Sequence, residues 1–139
     1  MDERVRVLAL TLYGEARGEP VEGIIGCGSV IRNRTISRKQ TYEKVCLAPK
    51  QFSCWNEDDP NYGILVGMSK FMDNPPNSRI RQCMYIANGI VGGDILDNVE
   101  GADHYVTIKL YTEIKKTNPN HWSQKMSVIT YKGNHIFLK

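Results

Sequence analysis

The sequence predicts an α+β fold, mainly helical, with small strands late in the chain. Two observations lead there. Apolar residues recur every three or four positions along several stretches up to Gly92, which is the spacing of a helix face. Beyond residue 103 the pattern changes to short β-branched and aromatic runs, the last two flanking Lys132-Gly133-Asn134 as a hairpin would. No internal repeat, low-complexity segment or boundary interrupts the 139 residues, so a single domain, 1–139, is expected.

Each element has its own warrant. Val5, Leu8 and Leu12 share one face of a first helix over 3–16, and Gly18-Glu19-Pro20 stops it. Pro20 opens a second helix, with Glu22 in its favourable first turn and Val21, Ile24, Ile25, Gly28 and Ile31 at helical spacing; it ends at Asn33-Arg34. Gly23, Gly26 and Gly28 each weaken this helix by up to about 1 kcal/mol relative to Ala. Close approach of another backbone, that of the first helix, is the expected compensation.

Thr41 caps a short helix through Cys46, and Pro49 closes it. Residues 51–63 read as a loop and 64–72 as helix. After Pro75-Pro76, Ser78 caps the clearest helix. Its stripe is Ile80, Cys83, Met84, Ala87, Ile90 and Val91, and Gly92-Gly93 ends it. Residues 104–108 read as extended, Asn118-Pro119 turns the chain, and Trp122 lies in a short helical or irregular piece. Residues 127–131 and 135–138 make the terminal hairpin.

Composition sets limits on function. Hydrophobic content of 41% and charged content of 24% are ordinary for a globular domain. A net charge of +3 tolerates an anionic polymer but gives no case for nucleic acid. The densest basic stretch, Arg32, Arg34, Arg38 and Lys39, reads first as a solvated helix end. The N-terminus lacks the pattern of a secretory signal. Cys27 and Cys83 fall within apolar helical patterns and read as core. Cys46 and Cys54 flank a loop where a bridge is conceivable, but reduced thiols are favoured. His104, His121 and His135 lack metal-ligand spacing, and neither a metal nor a cofactor is expected.

The residue with the clearest chemical implication is Glu15. It continues the apolar face of Val5, Leu8 and Leu12 where the first helix is ending. Burial there disfavours the charged carboxylate and raises its pKa. A glutamic acid protonated near neutral pH is what glycosidic bond cleavage requires as general acid. The competing reading is a helix-terminal ion pair with Arg17 or Arg34.

Four segments then align with one family. They are Leu12-Tyr13-Gly14-Glu15-Ala16-Arg17-Gly18-Glu19-Pro20, Val30-Ile31-Arg32-Asn33-Arg34, Gln51-Phe52-Ser53-Cys54-Trp55, and a tail containing Gly101-Ala102-Asp103-His104-Tyr105, Pro119, Trp122, Gly133, His135 and Phe137. Together they resemble the cell-wall hydrolases typified by the spore cortex-lytic enzyme SleB, whose relatives include phage endolysins. The resemblance implies a lysozyme-like fold and cleavage of the glycan strands of peptidoglycan. It makes Glu15 the catalytic acid. It also suggests an endolysin-like catalytic domain, monomeric, made in the host bacterial cytoplasm. Such a protein acts in the periplasm or cell wall once a separate holin-type factor opens the membrane.

Gln51, Phe52 and Ser53 are expected in the cleft, the ring stacking on a pyranose and the amide and hydroxyl binding its polar groups. Asp103, His104 and Tyr105 are further substrate-binding candidates. Candidates for a second carboxylate are Glu19, Glu22, Asp58 and Asp103, none of which stands out. Glu19 reads first as support for its loop or partner of a basic residue. This leans toward lytic transglycosylase chemistry over muramidase chemistry. Trp122 reads as core or a wall at the domain's edge, and His135 as a buried, hydrogen-bonded structural residue. Two other classes compete. A Cys–His peptidase or amidase would use Cys54 with His104 or His135, although Cys54 has no evident activating base. A noncatalytic glycan-binding module would leave the apolar-faced Glu15 without a purpose.

Overall fold

The computed structural model describes residues 1–139. Its helices are α1 (Glu3–Ala16), α2 (Val21–Arg38), α3 (Tyr42–Leu47), α4 (Pro60–Ser69), α5 (Ser78–Gly92) and α6 (Ile108–Thr117). Its strands are β1 (His104–Thr107), β2 (Val128–Lys132) and β3 (His135–Leu138), and short 3-10 turns span Ser53–Trp55 and Trp122–Lys125. The mainly helical α+β class and the terminal hairpin agree with the sequence reading. No helix is long and apolar enough to cross a membrane.

The first helix is more deeply buried than a one-sided stripe implies. Val7, Ala9, Leu10 and Thr11 are buried along with Val5, Leu8 and Leu12, so α1 is the central rod of the core. Helices α2, α3, α4 and α5 pack around it. The α2 glycines allow close contact, though α1 is not the main neighbour. A Cβ on Gly26 would meet the Phe137 ring of β3, and one on Gly28 would meet the Ile90 side chain of α5.

Several boundaries differ from expectation for local reasons. Helix α2 runs on to Arg38, where Lys39 adopts a left-handed conformation and donates its N–H to the Thr35 carbonyl. Helix α4 starts at Pro60 inside the expected loop. Asp59 caps it, accepting from the Asn61 N–H, and Pro60 takes the first turn, where no intrahelical donor is needed. Asn77, rather than Ser78, caps α5. Helix α6 is absent from the sequence reading because Ile108, the first member of its apolar stripe with Tyr111 and Ile114, reads as part of the extended run before it; the helix is amphipathic but buries no residue fully.

The sheet order is β1-β3-β2, with both pairings antiparallel. Tyr105 lies opposite Phe137, and Thr107 opposite His135. Tyr105 and Phe137 therefore face the helical core. Val106, Ile136 and Leu138 form a small second cluster with Tyr111 and Met126 on the other face.

Candidate active site

Glu15 occupies the last turn of α1, and the loop after α3 is fastened against it. A Cβ at Gly14 would lie 2.7 Å from Cys54 Cβ and 2.8 Å from its Sγ, so the glycine allows the 53–55 turn to sit on the helix. The Trp55 indole donates to Thr11 Oγ1 at 2.9 Å, and that hydroxyl donates to the Val7 carbonyl at 2.7 Å. These contacts bring Ser53 to the Glu15 carboxyl.

Glu15 has no ion-pair partner. The salt bridges of the molecule are Arg4–Asp2, Arg6–Glu3, His104–Asp103 and His135–Glu19. Arg17 instead donates to the Tyr13 carbonyl and Asn61 Oδ1, at 2.9 and 2.7 Å. Arg34 donates to the Asp103 carbonyl at 2.7 Å and to Gln51 Oε1 at 3.5 Å. Burial is the largest influence on Glu15, and the negative charge of Asp59 adds to it. The Ser53 backbone N–H acts in the opposite direction, and the carboxyl is pushed up to about 7. An acid of that strength carries its proton at neutral pH on half or more of the molecules up to that point.

Asp59 was absent from the sequence-based candidates. Its signal was a helix start: an Asp before a Pro caps α4, which places its charge near the end of α1. Among the candidates that were considered, Glu22 and Asp58 are exposed. Asp103 is bound to His104 Nδ1 at 2.9 Å. Glu19 is a structural lock. It accepts from the Asn134 backbone N–H, from Asn134 Nδ2 and from His135 Nδ1, each at 2.8 Å. Burial pushes the Glu19 carboxyl up, but these hydrogen bonds outweigh it and its pKa is lowered. The supporting role expected for Glu19 and the buried, bonded role expected for His135 are thus the same contact.

Tyr105 is half-buried, its hydroxyl turned toward Cys27. Burial, then the neighbouring Cys27 and Glu15, raise its pKa well above the usual phenol, so it offers Glu15's surroundings a neutral donor. Gln51 and Ser53 are exposed beside the site, and Asp103 and His104 are half-buried. Phe52 corrects the sequence reading. It is 3% exposed and belongs to the main core, under the Arg34 guanidinium whose Cζ lies 5.5 Å from the ring centroid. Its position between apolar neighbours sends the ring inward, so it cannot stack on a sugar.

Arg34 is the functional neighbour that sequence reasoning placed on a solvated helix end. It is 6% exposed, without a carboxylate partner, and burial lowers its pKa. Together with Asn33, whose Nδ2 donates to the Ala102 carbonyl at 2.9 Å, it clamps the 102–103 backbone to α2. The Val30–Arg34 segment thus holds β1 in place beside the site.

The thiol-based alternative lacks support in this geometry. All four cysteines are free and buried, and Cys46 and Cys54 do not bridge. Cys54 is fully buried, its thiol pushed far up by burial and by the Glu15 and Asp59 charges, and no imidazole bonds to it. Trp122 is not core: it is 45% exposed, on the 3-10 turn, with its ring beside that of His104 in β1.

The helical α+β fold thus carries a half-buried glutamic acid without an ion-pair partner at the end of its central helix. Residues 18–138 match the Cell Wall Hydrolase family, and the chain belongs to it. The matched span begins after Glu15. The catalytic domain of the germination-specific lytic transglycosylase SleB from Bacillus anthracis is similar in structure, with a TM-score of 0.68, 23% identity, and coverage of 100% of this chain and 96% of that one. The catalytic domain of the Bacillus cereus SleB protein has a TM-score of 0.66 and 25% identity, over 100% of this chain and 91% of that one. Comparison with curated proteins yields no match.

Proposed function

We propose that this cell wall hydrolase cleaves the β-1,4 bond between N-acetylmuramic acid and N-acetylglucosamine, with Glu15 as the general acid and then the base. The carrying observation is the Glu15 carboxyl, half-buried, unpaired and raised to about 7. In the first step Glu15 gives its proton to the glycosidic oxygen as the C1–O bond breaks, leaving an oxocarbenium-like muramic ring. In the second, the Glu15 carboxylate takes the proton of the muramic C6 hydroxyl as that oxygen bonds to C1. The product is a 1,6-anhydro end, Glu15 is again protonated, and no water is consumed.

Two features favour this lytic transglycosylase course over hydrolysis. Asp59 is engaged as the cap of α4, and Glu19 is locked by Asn134 and His135. The similarity to a SleB described as a lytic transglycosylase points the same way. On this reading residues 1–139 are the catalytic unit, and Gln51, Ser53, Asp103, His104 and Tyr105 contact the glycan.

The test is Glu15→Gln, which keeps the shape but removes the transferable proton. Cleavage of purified peptidoglycan should fall by about 10²–10⁴-fold with folding intact. A fully active variant would refute the assignment. Mass analysis of released muropeptides distinguishes the two courses: anhydro ends are one water lighter than reducing ends, and free stem peptides would reject both.

We also propose an endolysin role, on the likeness of the four sequence segments to phage members of the family. Expressed without a leader in a bacterium, the protein should leave cells intact until a pore-forming factor is co-expressed. Lysis by the protein alone would overturn that role.

A further inference from the structure

A tryptophan of the outer turn has no role in the core or in the chemistry at Glu15. Trp122 keeps 45% of its surface in solvent, and its indole N–H has no protein partner. Exposure alone is ordinary for a single apolar side chain; what sets this indole apart is that its ring packs against two others. The ring is also held in place. The His104 ring lies 5.2 Å away on one contact and the His121 ring 5.0 Å away on another.

Both imidazoles are themselves anchored. His104 Nδ1 bonds Asp103 Oδ1 at 2.9 Å. His121 Nδ1 accepts from the Ser123 N–H at 3.2 Å, which puts any single ring proton on Nε2. Ser123 is fully buried, so the base of the turn is fixed. The result is an apolar plate with hydrogen-bonding nitrogens at its margin, preorganised before any ligand arrives.

That plate is joined to the Glu15 site by consecutive contacts. His104 carries the indole, Asp103 carries His104, and the Asp103 carbonyl is held by Arg34, which also reaches Gln51. The next residue, Tyr105, faces the core beside Glu15. Because β1 is an edge strand, nothing in the sheet covers this side.

Resting on the glycan-cleaving reading above, we propose that Trp122, with His104 and His121, is a distal saccharide subsite that stacks on a pyranose ring of the strand away from the bond being cleaved. A sugar ring suits the plate because it has an apolar C–H face and a hydroxyl edge. A strand must be long enough to reach both Glu15 and Trp122 to benefit.

The test compares stem-free N-acetylglucosamine–N-acetylmuramic acid oligomers of two lengths, a tetrasaccharide and a decasaccharide. In Trp122→Ala the ratio of kcat/KM for the long oligomer to that for the short one should fall about three- to tenfold, carried by KM. Trp122→Phe, which keeps a flat ring, should restore most of it. In the Glu15→Gln protein, the Trp122 indole N–H resonance should shift with the decasaccharide and not with the tetrasaccharide. This measurement stands even if the alanine variant folds poorly. An unchanged ratio or a silent resonance, with the wild type cleaving both oligomers, overturns the subsite alone. A wild type that cleaves neither overturns the functional reading instead.

Discussion

Glu15 and Glu19 lie four positions apart and have opposite electrostatic fates. Glu15 is half-buried without a donor strong enough to hold its charge, and its pKa rises from 4.5 to about 7. Glu19 is buried with three donors, and its pKa falls. The consequences for pH differ in sign. For Glu15 the folded state binds the proton more tightly than the unfolded chain, so stability declines as pH climbs from 4.5 to about 7 and stays lower above it. The loss is on the order of 3 kcal/mol. Urea unfolding of the wild type should show it on going from about pH 4 to about pH 8, either side of that window, and Glu15→Gln should remove it. For Glu19 the contribution is present above the unfolded value and is lost as pH falls below it. Activity should decline as pH rises past about 7, where Glu15 gives up its proton. Asp59→Asn should move that limb to lower pH. Asn still caps α4, so the fold is kept. An unmoved limb would remove Asp59 from the tuning of the site.

At the scale of elements, two contacts decide whether the site exists. The first joins α1 to the 53–55 turn through Gly14 and Cys54. Gly14→Ala should destabilise the protein by about 1–3 kcal/mol through overpacking and lower activity by displacing Ser53. Cys54→Gly, which removes both the Cβ and the Sγ that a Gly14 Cβ would meet, should restore part of both in the double variant, a coupling that denaturation and kinetics on the four proteins would reveal. The single Cys54→Ala protein should stay active; an inactive one would revive a thiol role. The second contact joins the α1–α2 loop to the β2–β3 turn through Glu19. Glu19→Ala strands the Asn134 N–H and the His135 ring, at about 2–4 kcal/mol. Its activity per folded molecule should persist, which separates a lock from a catalyst. A dead but fully folded Glu19→Ala would contradict that assignment.

Across the molecule, the site lies where the helical core meets the sheet. The core runs from Val5 of α1 to Phe137 of β3, and Glu15, Tyr105 and Arg34 sit along that junction. The motif segments visible in the sequence divide by task. Gly14-Glu15 and Ser53 lie together at the proposed site. Asn33-Arg34 and Glu19-His135 hold its two walls together. Hence residues that read as substrate contacts and residues that read as structure are interleaved along the chain. Tyr105 and His104 are adjacent but point to opposite faces of β1, one toward Glu15 and the other toward Trp122.

The helical spacing of Val5, Leu8, Leu12 and Glu15 was sufficient to single out Glu15 as the proposed acid, because that inference needs only one helix and its end. The hairpin and the α5 stripe were legible for the same reason: each rests on local periodicity and turn chemistry. Helix α6 was not, since Ile108, where its apolar stripe begins, directly continues the β-branched run of β1 and local pattern does not mark the boundary between them. The outward reading of Phe52 failed because whether a loop ring faces in or out depends on what packs across from it, here Arg34. The effect of Asp59 on Glu15, the burial of Arg34 and the grip of Asn134 and His135 on Glu19 also required the tertiary structure. Each joins residues between 44 and 116 positions apart or crosses from one element to another, as the Glu19–His135 bond at a separation of 116 illustrates. Electrostatics depends on distance in space, and the sequence alone specifies that distance only within an element.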